Sequence, residues 1–163
     1  FWLGTNLLTA LIAASVINIF KETLEQVIFL AVLMPIIASM GGVAATQTLT
    51  ITVRGLALGQ IVRANYLYIF NRELMVGISN GFIWAVILSL IACSWFQDWL
   101  LAWVICLSMI INLVAGVLSG MGIPILLKGL KMDPAVAGSV IVTTVTDVIG
   151  FFSFLGLATY FYS

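Results

Sequence analysis

Five long apolar stretches, four of them free of Asp, Glu, Lys and Arg, set the architecture of this sequence before any other feature is weighed. They cover residues 1–20, 26–53, 74–97, 99–127 and 134–163, the last interrupted only by Asp147. A helix rising about 1.5 Å per residue needs about 20 apolar residues to cross a bilayer's hydrocarbon core. Each stretch is long enough to cross once, and none is long enough to cross, turn and return. The expectation is an all-α integral membrane protein with five transmembrane helices, roughly at 2–20, 26–58, 74–95, 99–127 and 134–162. Together they make one transmembrane domain over residues 1–163. The alternation in Thr48, Leu49, Thr50, Ile51, Thr52 and Val53 has the period of a strand. An isolated strand in lipid strands its backbone polar groups at several kcal/mol each, so the helix wins.

Composition excludes the competing classes. With 63% of residues apolar and 7% charged, the chain departs far from a soluble domain, which is about half apolar and about a quarter charged. Six basic residues balance six acidic ones, leaving no basic footprint for nucleic acid. The absence of histidine removes His-based triads and His-ligated zinc. Cys93 and Cys106 lie in apolar runs, where packed, reduced thiols are expected. The first stretch lacks the basic n-region and cleavage site of a signal peptide. Because the sequence starts at Phe1, it is expected to be a trimmed piece of a longer protein.

The connecting segments orient the helices. With the amino end in the cytoplasm, Arg54, Arg63, Arg72, Lys128 and Lys131 fall inside and only Lys21 outside. The positive-inside rule therefore predicts a cytoplasmic N-terminus and an extracytoplasmic C-terminus. Trp95 and Trp99, flanking Asp98, suit the outer interface. Residues 55–73, with Arg63, Tyr66, Tyr68 and Arg72, read as a helical extension or an interfacial helix on the inner surface. Asp133 is a natural N-cap with Pro134 at the first helical position. Pro35, Gly41-Gly42 and Pro124 are places where helices can bend.

One charge lies deep in the apolar register. Asp147 is thirteen residues past Pro134, about 20 Å along its helix. Placing a carboxylate there costs about 2.5–3.5 kcal/mol on insertion scales. A protonated aspartate that only locks helix packing is one account of it; an ion or proton pathway is the one favoured. Thr143 and Thr144 share its face, and Gly150 lies one turn beyond. Oxygen-only surroundings suit Mg²⁺ or Ca²⁺ rather than zinc or copper. One aspartate is too little for a bare divalent ion, but two copies across a two-fold axis would match one M²⁺ that keeps several waters. The small and hydroxylated stretch Gly41, Gly42, Ala44, Ala45, Thr46, Gln47, Thr48, Thr50 and Thr52 fits close packing and pore lining equally well. Asn112, Gly116 and Gly120, at four-residue spacing, read as helix packing, although a buried Asn112 amide needs partners. Glu22 and Glu25 would face the outer mouth.

Gly41-Gly42-Val43-Ala44-Ala45-Thr46-Gln47, followed by Val53-Arg54-Gly55-Leu56-Ala57, resembles the helix-2 signature of the MgtE family of magnesium channels and transporters. Leu126-Leu127-Lys128, Asp133-Pro134-Ala135 and Thr143-Thr144-Val145-Thr146-Asp147 resemble that family's helix 4–5 region. The similarity runs over the whole chain. It implies a homodimer with five spanning helices per subunit and a pore at the dimer interface lined chiefly by helices 2 and 5. On that basis Gly41, Gly42, Ala45, Gln47, Thr48 and Gly150 would line the pore. Asp147 from both subunits, with Thr143 and Thr144, would bind a hydrated Mg²⁺ as the transported ion, with Mn²⁺ or another divalent ion as alternatives. The resemblance also implies cytoplasmic Mg²⁺-sensing domains in a longer protein. Family members usually carry two asparagines and a further glycine where this sequence has Val43, Ala45 and Thr46.

The expected function is passive uptake of a divalent cation across the cell membrane, with no enzymatic activity. The alternatives are a proton- or sodium-coupled divalent cation exporter in which Asp147 titrates, and a non-transporting membrane scaffold. An intramembrane aspartyl protease needs two carboxylates sharing a proton, and each chain offers one.

Overall fold

The computed structural model describes residues 1–163 and contains helices and turns only. The helices are α1 (Trp2–Ile19), α2 (Lys21–Gln26), α3 (Phe29–Ala57), α4 (Tyr66–Phe96), α5 (Trp99–Gly129) and α6 (Pro134–Tyr162). A single 3₁₀ turn, Arg63–Asn65, leads into α4. Five of the six α-helices, all but the short α2, are long and apolar enough to cross a membrane.

The difference from the sequence reading lies between the second and third spans. Of the two readings of residues 55–73, the structure has the helical extension, made from both sides: the end of α3, a turn, the 3₁₀ segment and the first two turns of α4. That spanning helix starts at Tyr66, eight residues before position 74. Arg72 and Glu73 look like a boundary when read as isolated charges. In the fold they pair with each other, Nη2 to Oε1 at 3.0 Å, and the helix runs through them.

Local chemistry explains where the helices stop. After α3 the Gln60 amide donates to the Gly55 carbonyl (2.9 Å) and Gly59 sits at φ 68°, a Schellman ending that needs a left-handed residue. The end of α5 repeats this pattern, with Met132 N donating to Leu127 O (3.0 Å), but here Lys131 takes the positive φ of 60°. Asp98 caps α5 by accepting from Leu100 N (2.9 Å) and Leu101 N (3.3 Å). Its other carboxylate oxygen accepts from the Tyr162 hydroxyl, tying the end of α6 to the α4–α5 turn. Asp133 accepts from Ala135 N (2.9 Å), with Pro134 opening α6.

Helix α5 is the hub. It packs on α3, α4 and α6, while α6 also lies against α3 and α1. The main core, nearer the Asp98 end, joins Leu30, Leu33 and Ile37 of α3 to Leu101, Ile105 and Met109 of α5 and Phe154 and Leu155 of α6. Toward the opposite end the helices close on small residues. A Cβ on Gly116 would fall 2.8 Å from the Gly41 carbonyl oxygen, and one on Gly120 would fall 2.5 Å from that of Ala45. Backbone contact of this kind is what drives helix association where lipid is as apolar as leucine.

Candidate ion-binding site

Asp147 lies mid-way along α6 and is half-buried. No side chain or backbone group of the chain donates to it, and no cation pairs with it. The other carboxylates are either exposed at the surface or engaged: Asp98 and Asp133 cap helices, Glu25 pairs with Lys21 and Glu73 with Arg72.

The neighbouring threonines spend their protons on the backbone. Thr143 Oγ1 donates to Ser139 O (2.9 Å), Thr144 Oγ1 to Val140 O (2.6 Å) and Thr146 Oγ1 to Thr143 O (3.0 Å). Their remaining lone pairs are acceptors. Thr146 is fully buried, so the surface along this face of α6 is the Asp147 carboxylate with Thr143 and Thr144 as partly exposed oxygen acceptors, which invites a cation and repels an anion. No group of three His, Cys, Asp or Glu side chains gathers within the chain. One chain thus offers no complete protein cage, and an ion at Asp147 would rely on water or on further copies for most of its ligands.

Three helices meet one turn from Asp147. The Asn112 side chain is fully buried between Gly41 of α3 and Gly150 of α6, where a Cβ would lie 2.2 Å and 2.8 Å from its Nδ2. That nitrogen donates to Ile37 O (2.8 Å), whereas Oδ1 receives no hydrogen bond. Gly42 faces Thr146, with 3.9 Å from the position of a Cβ to Oγ1.

The fold separates the α3 candidates. Gly41, Ala45 and Thr48 are buried against other helices of the same chain, and so is Gly150 of α6. Gly42 is partly exposed and Gln47 is exposed. Thr46, Gln47 and Thr50 line an open groove of about 440 Å³. Thr46 and Thr50 donate to Gly42 O and Thr46 O within α3, while Gln47 has no partner. Gly116 and Gly120 lie in the α3–α5 seam. Cys93 and Cys106 are free and half-buried.

One buried carboxylate was missed in the sequence. Glu73 is 8% exposed, at the head of a stripe of small buried residues on α4, Gly77, Gly81, Ala85 and Ser89. The four-residue spacing of that stripe, followed back past position 74, was the available signal.

Residues 34–157 match the family described as "MgtE: Divalent cation transporter". The chain is 34% identical over 160 residues to a protein of Bacillus subtilis named "Magnesium transporter MgtE", covering 98% of this chain and 36% of that protein. Proteins of the same name from Enterococcus faecalis and Thermus thermophilus are 28% and 29% identical over 98% and 96% of this chain, each covered over 35% of its length. The chain thus spans about a third of the length of these relatives. With its five spanning helices and a match over most of its length, the chain belongs to the MgtE family.

Proposed function

We propose that this chain forms the membrane-spanning part of a divalent cation transporter, with Mg²⁺ as its principal substrate, acting as a homodimer in the cell membrane. The observation that carries this reading is Asp147, a carboxylate inside a spanning helix with no counter-charge in its own chain. A bare charge at that depth is costly, and a cation held there removes the cost. Two Asp147 side chains across a two-fold axis supply the charge of one M²⁺, with Thr143 and Thr144 as further oxygen acceptors and water completing the shell. The relatives' name, magnesium transporter, supports Mg²⁺ over other divalent ions.

The pore of this reading runs along the exposed polar face of α3 and the Asp147 face of α6. Gly42 and Gln47 have surface to offer it, joined by Thr46 and Thr50. Gly41, Ala45, Thr48 and Gly150 shape it from behind by setting how closely the helices approach. The Arg54–Lys131 end lies in the cytoplasm, and Mg²⁺-sensing domains belong to a longer protein on that side. Entry needs no chemical energy: about 2.3 kcal/mol per charge per 100 mV gives about 4.6 kcal/mol for a doubly charged ion.

Proteoliposomes with a lumenal Mg²⁺ indicator test the reading. Asp147→Asn is expected to reduce voltage-driven uptake at least tenfold while the protein stays monodisperse. Undiminished uptake in that variant refutes the role of Asp147. Uptake that vanishes when the pH gradient is collapsed at constant voltage assigns Asp147 to proton coupling instead.

A further inference from the structure

Two cavities meet at Glu73. The deeper one, about 100 Å³, lies between α3, α4 and α5 and has Gln47, Thr48, Glu73 and Asn80 among its walls. The other, about 290 Å³, opens beside the α3–α4 turn, where Gln60, Asn65 and Arg72 line it. Glu73 and Ile51 belong to both walls. The two cavities therefore adjoin where the turn meets the helix bundle, with the Glu73 carboxylate and Ile51 between them. Glu73 lies on α4, away from α6 and Asp147.

The groups along the deeper cavity are unspent. Glu73 Oε1 is held by Arg72 Nη2 at 3.0 Å, and Oε2 takes no hydrogen bond. The side chains of Gln47, Thr48 and Asn80 make none either; Thr48 is buried, and Gln47 and Asn80 are exposed on their spanning helices. Polar groups at membrane depth are retained where something satisfies them. Together they offer one carboxylate, one hydroxyl and two amide oxygens, a hard, oxygen-only set. Mg²⁺ typically takes one or two carboxylates and keeps several waters, and the cavity has room for several.

The structure also places a cation on this carboxylate. The guanidinium of Arg72 is a tethered one, on a side chain 60% exposed. The Glu73 side chain is only 11% exposed, so the pair is open to solvent at its guanidinium end alone, and a doubly charged ion at the same distance from the carboxylate is attracted twice as strongly. Arg72 is free to swing toward the surface when displaced.

We propose that Glu73, Gln47, Thr48 and Asn80 form a second station for a hydrated divalent cation, reached from the α3–α4 turn and guarded by Arg72 as a competing charge. The biological use of this station rests on the transporter reading, but its occupancy does not, so binding is measured without flux. The purified chain in nanodiscs is titrated with Mn²⁺ alone, and bound ion is counted by electron paramagnetic resonance. Asp147→Asn is expected to retain a class of bound Mn²⁺ that Glu73→Gln, added to it, removes. Arg72→Gln is expected to tighten that class three- to tenfold, the opposite direction from the loss that a purely structural Arg72–Glu73 pair would give. Asn80→Leu, at an exposed site, is expected to weaken it at least threefold and serves where Glu73→Gln does not fold. Binding unchanged by Glu73→Gln or by Asn80→Leu, or untightened by Arg72→Gln, overturns the proposal. Undiminished flux in Asp147→Asn refutes the role of Asp147 in transport and leaves this binding result standing; absence of voltage-driven flux in the unsubstituted chain refutes the transporter reading and also leaves it standing.

Discussion

The contact between Gly120 and α3 sets a quantitative test of how this bundle is held together. A Cβ at Gly120 would sit 2.5 Å from Ala45 O, 2.9 Å from Thr48 Cβ and 3.2 Å from Leu49 N. Ordinary contact begins near 3.4 Å, so Gly120→Ala must drive the helices apart by 3.4 − 2.5 = 0.9 Å at that point. Two of the three obstacles are backbone, so no rotamer change relieves them. Overpacking of this kind costs about 1–3 kcal/mol, and a backbone obstacle places it at the upper end. Gly122, two residues on, has nothing within 4 Å of its Cβ position. There the same substitution meets only the helical preference for alanine and stabilises by about 0.5–1 kcal/mol. The propensity gain is common to both positions in α5, so the two variants should differ by the overpacking cost, about 2–3 kcal/mol. Reversible unfolding in bicelles, followed by tryptophan fluorescence, measures the difference. If Gly120→Ala is as stable as Gly122→Ala, the close α3–α5 seam does not exist as described, and the positions of Gln47 and Thr48 fall with it.

Other expectations follow from single contacts. Lys131 occupies the left-handed region, which disfavours a side chain by about 1–2 kcal/mol, so Lys131→Gly should raise stability by about 1 kcal/mol in the same assay. Asp98→Ala loses both the α5 cap and the acceptor for Tyr162 and should destabilise by about 1–2 kcal/mol. Tyr162→Phe, which loses the hydroxyl alone, should destabilise by about 1 kcal/mol. An equal or larger loss in Tyr162→Phe would show that the cap contributes nothing.

Asp147 was legible because a lone carboxylate in an apolar run stands out whatever the fold. Asp133 and Pro134 announced the start of α6 by local hydrogen-bonding chemistry alone. Glu73 was illegible for the converse reason. Beside Arg72 and close to Arg63 it read as interfacial punctuation, and only the α4 stripe packing inward reveals it as buried. Gly41, Ala45 and Thr48 belong to a stretch whose composition fits packing and pore lining equally, and each is buried against a neighbouring helix of its own chain, as is Gly150. A small residue suits both surroundings, so its identity does not say which one it meets.

The number of spanning helices and their approximate ends were determined by the sequence itself. Lipid cannot hydrogen-bond a backbone, so every long apolar run must satisfy its own by becoming a helix. Which face of each helix meets protein and which does not was decided only in the tertiary structure. In water the apolar stripe of a helix marks its buried side. Here lipid and protein interior are equally apolar, the helices are hydrophobic all round, and the partners are selected by backbone fit at positions such as Gly116 and Gly120.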